Sequence, residues 1–217
     1  MKLRILCDNN TYIDQYYLGE PAFSCYIEAE DARVLLDVGY SDVFLRNAEK
    51  MGIDLSALTH VVLSHGHNDH TGGLTPFIEE KVAPAAKLIA HEDCFVGKYY
   101  GEEYIGAPYD VEQILYLADC QLTAEPVAIT ENLWYLGEIP RKLDFEPRTV
   151  IGKRERMGKW EEDDLLDDTA LAYRTEKGLF IITGCAHSGI CNIIEQAKAV
   201  CGDDRILGVL GGFHLFE

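Results

Sequence analysis

An apolar run, Val61-Val62-Leu63, passes through Ser64 straight into His65-Gly66-His67-Asn68-Asp69-His70 and then Thr71-Gly72-Gly73. No other feature of the chain restricts its fold as much. A short, wholly apolar run reads as a strand buried on both faces, so the histidines stand at the end of an interior strand. On an extended segment, residues two apart point the same way, and His65 and His67 can grip one cation together. If the chain then turns into a helix, Asp69 and His70 swing round to an adjoining site. Imidazole and carboxylate donors suit zinc, iron and manganese. A surface loop that happens to hold three histidines has no reason to follow a buried strand.

Two more histidines end apolar strands. His187 follows Phe180-Ile181-Ile182-Thr183-Gly184-Cys185, and His214 follows residues 206–210 and the pair Gly211-Gly212. Strand ends beside glycines are where a backbone can deliver ligands, and these two would complete a pair of metal shells. Strands are expected at residues 2–7, 23–28, 33–37, 87–90, 170–175, 179–183 and 206–210, with 133–137 a further candidate, and helices at 42–51, 74–80 and 190–200. Hairpins interleaved with helices point to two mixed sheets packed face to face with helices outside. That is an α/β fold of the α+β type, a four-layer αββα sandwich. Residues 1–217 are expected to form one domain, with a less regular insert at about 93–158.

Apolar residues make up 47% of the chain and charged residues 26%, the balance of a globular protein. The longest apolar runs are too short for a membrane span or a secretory signal, which sets the expectation of a cytoplasmic protein. The formal charge of −18 disfavours nucleic acid as a partner. One basic cluster, residues 153–156, precedes the acidic run Glu161-Glu162-Asp163-Asp164 and reads as a solvated loop of mixed charge. A sharper alternative makes Arg148, Lys153, Arg154 and Arg156 clamps for an anionic substrate. Seven cysteines without a CxxC pair argue against a disulfide framework or a zinc ribbon.

Several segments resemble the metallo-β-lactamase superfamily, and within it the branch of dihydropterin-6-yl-methyl-ribofuranosylaminobenzene-phosphate synthase-like hydrolases. They are Leu35-Leu36-Asp37-Val38-Gly39, the stretch from Val61 to Leu74, Gly137-Glu138-Ile139-Pro140-Arg141, Thr183-Gly184-Cys185-Ala186-His187-Ser188-Gly189-Ile190, and Gly211-Gly212-Phe213-His214. The resemblance implies a dinuclear site at the sheet ends. It carries over His65, His67, Asp69, His70, His187 and His214 as metal ligands, Asp69 also as the catalytic group that orients a bridging hydroxide, and Asp37 as a hydrogen-bonding support. Most superfamily members have an aspartate after Thr-Gly, where this chain has Cys185. Either that thiolate, or Asp167 or Asp168, or water alone would complete the shell. Branch members usually continue for some tens of residues past the Gly-Gly-Phe-His segment.

These readings give the expectation of hydrolysis of an ester-like bond, a phosphoester before others, in a small and anionic substrate. The cofactors would be two divalent ions, zinc before iron or manganese. The alternatives are an iron-dependent redox enzyme on the same scaffold and a binding protein that retains metal without turnover. Self-association to a homo-oligomer is left open. His60 is expected to be structural, and His91 to face solvent or to donate a proton at the site. Tyr99, Tyr100, Tyr104 and Tyr109 either stack on a planar substrate or pack their segment against the core.

Overall fold

The computed structural model describes residues 1–146 and 148–215. One sheet runs in chain order through Lys2–Cys7, Ser24–Ala29, Ala32–Leu36, His60–Val62, Lys87–Ala90 and Cys120–Leu122. Its first three strands are antiparallel and the rest parallel. A second sheet has the order Ile206–Gly211, Gly178–Thr183, Ala170–Thr175, Leu133–Tyr135, Val127–Ala128, and only its first pair is parallel.

Why these strands are interior follows from alternation. Successive strand side chains point to opposite faces, so a strand covered on both sides must be apolar at every position. Val34, Leu36, Val62 and Ile89 meet Leu133, Tyr135, Leu171 and Ile182 of the second sheet. Their neighbours Leu35, Val61 and Leu88 turn the other way, onto Phe44 and Ala48 of helix Val43–Lys50, Leu74 and Phe77 of helix Leu74–Glu79, and Ile114 of helix Val111–Leu117. On the far side, Ala170, Ala172 and Ile181 meet Ile193 and Ala197 of helix Ile190–Cys201. The result is helices, sheet, sheet, helix, which is the αββα order expected.

The segment 93–158 holds several regular elements, one of them at the 133–137 stretch that the sequence suggests as a strand. It supplies Cys120–Leu122 to the first sheet and Leu133–Tyr135 to the interior of the second. It also supplies three strands of a third sheet ordered Lys159–Glu162, Lys153–Arg156, Lys98–Tyr100, Glu103–Tyr104. The basic cluster at 153–156 is therefore a strand and not a loop. Its strand period is hidden because the inward position is Arg154, buried among carboxylates: Glu161 at 2.9 Å and Asp164 at 3.1 Å, with Asp93 at 3.8 Å and Asp163 at 3.9 Å. Arg154 is thus spent inside the protein and does not clamp a substrate. Among the described residues no helix is long and apolar enough to cross a membrane, and all seven cysteines are free thiols.

Candidate metal centre

Strand His60–Val62 lies within the parallel part of the first sheet, between Ala32–Leu36 and Lys87–Ala90, and the chain runs on through bends at Ser64 and Gly66 to an extended His67 and the short helix Asn68–Thr71. This is the strand-to-helix turn that the histidine spacing requires. Beneath it lies Asp37, fully buried at the end of the neighbouring strand. The Ser64 amide donates to Asp37 Oδ1 at 2.7 Å, and the Ser64 hydroxyl donates to Oδ2 at 2.7 Å. His70 Nδ1 lies 2.7 Å from that same Oδ2. A carboxylate only accepts, so His70 keeps its proton on Nδ1 and turns Nε2 towards Asp69 Oδ2, 3.4 Å away. Ser64 Oγ is also 3.0 Å from His65 Nδ1. With the hydroxyl proton committed to Asp37, His65 donates from Nδ1 and points a bare Nε2 inwards. Asp37 thus sets two imidazole orientations, the work of an outer hydrogen-bond partner in a metal site. Asp37→Asn is expected to weaken Zn²⁺ binding roughly 10–100-fold, the usual loss for such partners, as read by competition with a chromogenic chelator; unchanged affinity would remove Asp37 from the account.

Two glycines make the convergence sterically feasible. A Cβ on Gly66 would lie 2.0 Å from the Cys94 carbonyl oxygen, and one on Gly184 would lie 2.0 Å from Ser64 Oγ and 2.6 Å from Asp37 Oδ2. Backbone therefore packs directly on the Asp37–Ser64 pair, and the second sheet delivers its strand end to the first. Cys185 follows at once, then Ala186 in the left-handed region (φ 57°), a strained turn that aims His187 into the cluster. Gly212 N donates to Gly184 O at 3.0 Å, tying the His214 segment alongside.

All six expected ligands meet here. The His65 ring centroid lies 4.7 Å from His67, 4.4 Å from His70 and 4.7 Å from His187, and His187 lies 4.3 Å from His214. Their donor atoms form three overlapping groups: His65, His67 and His187; His65, Asp69 and His70; Cys185, His187 and His214. Within each group every donor lies within 4.8 Å of the others. Burial, then the neighbouring imidazoles His70, His67 and His187, hold His65 well below the usual imidazole range. Burial, then His67 and His214, push His187 down to about 2. At His70 burial also disfavours the cation, yet the Asp37 charge and hydrogen bond outweigh it and hold the ring well above that range. Binding of a metal would displace such a proton.

The donors fit a metal on two counts. His67 Nε2 and both ring nitrogens of His187 are buried with no hydrogen-bond partner among the described residues. Leaving a buried polar atom unpaired costs about 1–3 kcal/mol, so three in one cluster ask for a cation. The spacings agree as well. His65 Nε2 and His67 Nδ1 are 3.1 Å apart, and Cys185 Sγ and His214 Nδ1 are 3.5 Å apart. Nitrogen donors ~2.0–2.1 Å from tetrahedral zinc lie about 3.3 Å from each other, and nitrogen and sulfur about 3.6 Å.

The three candidates for completing the shell separate clearly. Asp167 is occupied elsewhere: its Oδ2 accepts from the Gly66 amide at 2.7 Å, and its Oδ1 lies 3.1 Å from Lys98 Nζ. Asp168 accepts from the Ser188 amide through Oδ2 at 2.8 Å and is pushed up to about 7 by burial; its Oδ1 is buried with no hydrogen-bond partner among the described residues, though it stands outside the three donor groups. Cys185 is inside one of them. Lys98 is the residue that sequence reading missed. Fully buried, it lies 2.8 Å from Asp163 and 3.1 Å from Asp167 and bolts the third sheet to the histidine loop. No signal marks it in the sequence, since Asp163 sits in an acidic run that reads as solvated.

The remaining histidines and tyrosines have other roles. His91 is buried, accepts from the Asp93 amide through Nδ1 at 3.0 Å and lies 3.5 Å from Glu138, so it neither faces solvent nor reaches the donor cluster. His60 is half-buried beside Thr59, at 2.9 Å. Tyr109 packs on the outer core of the first sheet, and Tyr104 donates to the Ala107 carbonyl at 2.8 Å. Tyr100 is exposed at the mouth of a cleft of about 440 Å³ that also exposes His67, Asp69, Cys185, His187 and His214.

Residues 18–200 match the family profile of the metallo-β-lactamase superfamily. The chain belongs to the metallo-β-lactamase superfamily. It is similar to an uncharacterized protein of Methanocaldococcus jannaschii, with 36% identity over 214 residues, 98% of this chain and 79% of that protein. A protein of the same organism named 7,8-dihydropterin-6-methyl-4-(beta-D-ribofuranosyl)-aminobenzene-5'-phosphate synthase is 29% identical over 233 residues, 100% of this chain and 78% of that one. Among solved structures, a metal-dependent hydrolase of the beta-lactamase superfamily is 35% identical with a TM-score of 0.83, covering 99% of this chain and 77% of its own. The superfamily and the fold are thus those that the motifs suggested, and one similar protein bears the name of the branch that they resemble.

Proposed function

We propose that the protein is a metal-dependent hydrolase that cleaves an ester-like bond, a phosphoester first, in a small anionic substrate. The observation that carries the reading is His187: a neutral imidazole, both nitrogens unpaired, buried against His65 and His67 at the base of a solvent-reaching cleft. Two divalent cations held by these donors would supply Lewis acidity and a nucleophile at neutral pH, because metals depress the pKa of water from ~15.7 towards ~7. A similar protein described as a metal-dependent hydrolase supports the reaction class, and one named for a phosphate-bearing product supports an anionic, phosphorylated ligand.

The chain's own residues would divide the remaining work. His65, His67 and His187 bind at one side and Asp69 with His70 at the other, with Cys185 and His214 adjoining. Asp69, whose side chain is 38% exposed, lines the cleft beside the imidazoles and would orient the attacking water. Asn68, Ile105 and Ile151 shape the walls. Among the described residues no lysine or arginine lines this cleft, so attraction of an anionic group falls to the metals, against the long-range repulsion of a chain with net charge −18.

The test is a panel of phosphomonoesters, phosphodiesters, thioesters and lactams offered to protein loaded in turn with Zn²⁺, Mn²⁺ and Fe²⁺. Turnover of a phosphoester that is lost with a chelator and restored by metal is the expected result. Absence of turnover on every substrate with every metal would sink the reading.

A further inference from the structure

Beside the metal cleft lies a second hollow, of about 580 Å³, lined chiefly by Tyr99, Tyr100, Val150, Lys153, Trp160 and Glu162. Tyr100 lines both hollows, and Val150 lines the outer one while its chain neighbour Ile151 lines the metal cleft. The two spaces therefore share one thin wall.

The third sheet has two dissimilar faces. Lys98, Arg154 and Glu161 make the buried or paired charges on one side. Strand alternation sends Tyr99, Lys153, Trp160 and Glu162 to the other, where Lys153 pairs in register with both Tyr99 and Glu162. On that outer face the Tyr99 ring meets the Trp160 indole at 83° with centroids 5.4 Å apart, and meets Tyr104 at 75° and 5.1 Å. Two perpendicular rings make a corner in which a planar ring can stack on one and meet the edge of the other, both favoured geometries. Tyr99, Trp160 and Val150 remain 37%, 50% and 49% exposed. Large aromatics grouped on a strand face otherwise made of lysine and glutamate are not core, and among the described residues lining the hollow Val150 is the one aliphatic side chain.

We propose that this face is a second substrate subsite, a shelf for a planar aromatic or heteroaromatic ring covalently joined to the group cleaved in the metal cleft. Lys153 and Glu162 at its rim would pair with polar substituents of that ring. A long aliphatic chain is the poorer occupant, because it would desolvate these two charges without replacing their hydrogen bonds. The ring's link to a scissile group rests on the hydrolase reading; the ring's binding does not. The shelf also cannot drift from the metals, since Lys98, adjacent to Tyr99 in the same strand, is paired with Asp167, which holds Gly66 of the histidine loop.

The experiment is calorimetric titration of the zinc-loaded protein with three phosphonates that cannot be hydrolysed: methyl-, 2-naphthylmethyl- and n-decylphosphonate. The naphthyl compound is expected to bind about tenfold to hundredfold more tightly than the methyl one, the range for one stacking platform. Trp160→Ala should remove most of that difference and leave methylphosphonate affinity and metal content unchanged. Tyr99→Ala, which removes the other ring of the corner, supplies a second reading if the first variant folds poorly. Equal affinity for naphthyl and methyl compounds in the native sequence overturns the proposal, as does tighter binding of the decyl compound, or a ring preference that survives both substitutions. A ring preference in a protein that turns over nothing supports the shelf while removing the hydrolase reading, so the two failures are distinguishable.

Discussion

Lys98→Met is expected to lower the free energy of unfolding by about 3–5 kcal/mol, the usual consequence of removing one partner from a buried ion pair. The ammonium is fully buried, and so are both of its carboxylate partners, Asp163 at 2.8 Å and Asp167 at 3.1 Å. Burial by itself would raise the Asp167 carboxyl; the Lys98 charge outweighs that and holds it below the ordinary range. Without Lys98, two carboxylates would face each other in a dry interior, and one must take up a proton or drag in water. The damage would spread to the site, because Asp167 also accepts the Gly66 amide and fixes the loop between His65 and His67. Denaturant unfolding of the metal-free protein is the measurement, with the midpoint moving at constant slope. A loss below about 1 kcal/mol, the range of an exposed pair, would show that the network is not the anchor described.

The second large effect is the reverse in character, with function lost and stability kept. His187→Ala is expected to reduce catalytic efficiency by more than a hundredfold, since outer partners alone typically cost 10–100-fold and this is a direct donor. Yet its two ring nitrogens make no hydrogen bond to any described residue, so truncation breaks none. It instead removes buried unpaired polar atoms from beside His65 and His67. The metal-free variant should therefore unfold within about 1 kcal/mol of the native sequence. Activity and thermal unfolding measured on the same preparations decide it. A marked loss of stability without metal would make His187 a packing residue and not a donor.

These two residues also mark how far the sequence could be read. His187 was legible because its chemistry and its place agree: a histidine at the end of an apolar strand, beside glycine, in a chain that already holds His65 and His67. The αββα order was legible for a related reason, since Val61-Val62-Leu63 and Phe180-Ile181-Ile182 are apolar at every position and only sheets covered on both sides demand that. Lys98 was not legible. A buried cation is recognisable only through its partners, and Asp163 and Asp167 lie more than sixty residues away in a stretch whose acidic composition suggests solvent. The strand at Lys153–Arg156 was hidden in the same way, because its inward residue is Arg154 and its period is written in charge and not in hydrophobicity. Asp37 stood between the two cases: its position beside Gly39 suggested a supporting role, and the three contacts to Ser64 and His70 give that role its geometry.

The central claim is that these separated segments assemble a single cation-binding cluster, and equilibrium dialysis against Zn²⁺ followed by elemental analysis tests it most directly. About two bound ions per chain are expected, with fewer retained by His187→Ala and by a His65→Ala variant that folds as the native chain does. Retention of no metal by the native protein, or equal retention by all three proteins, would contradict it.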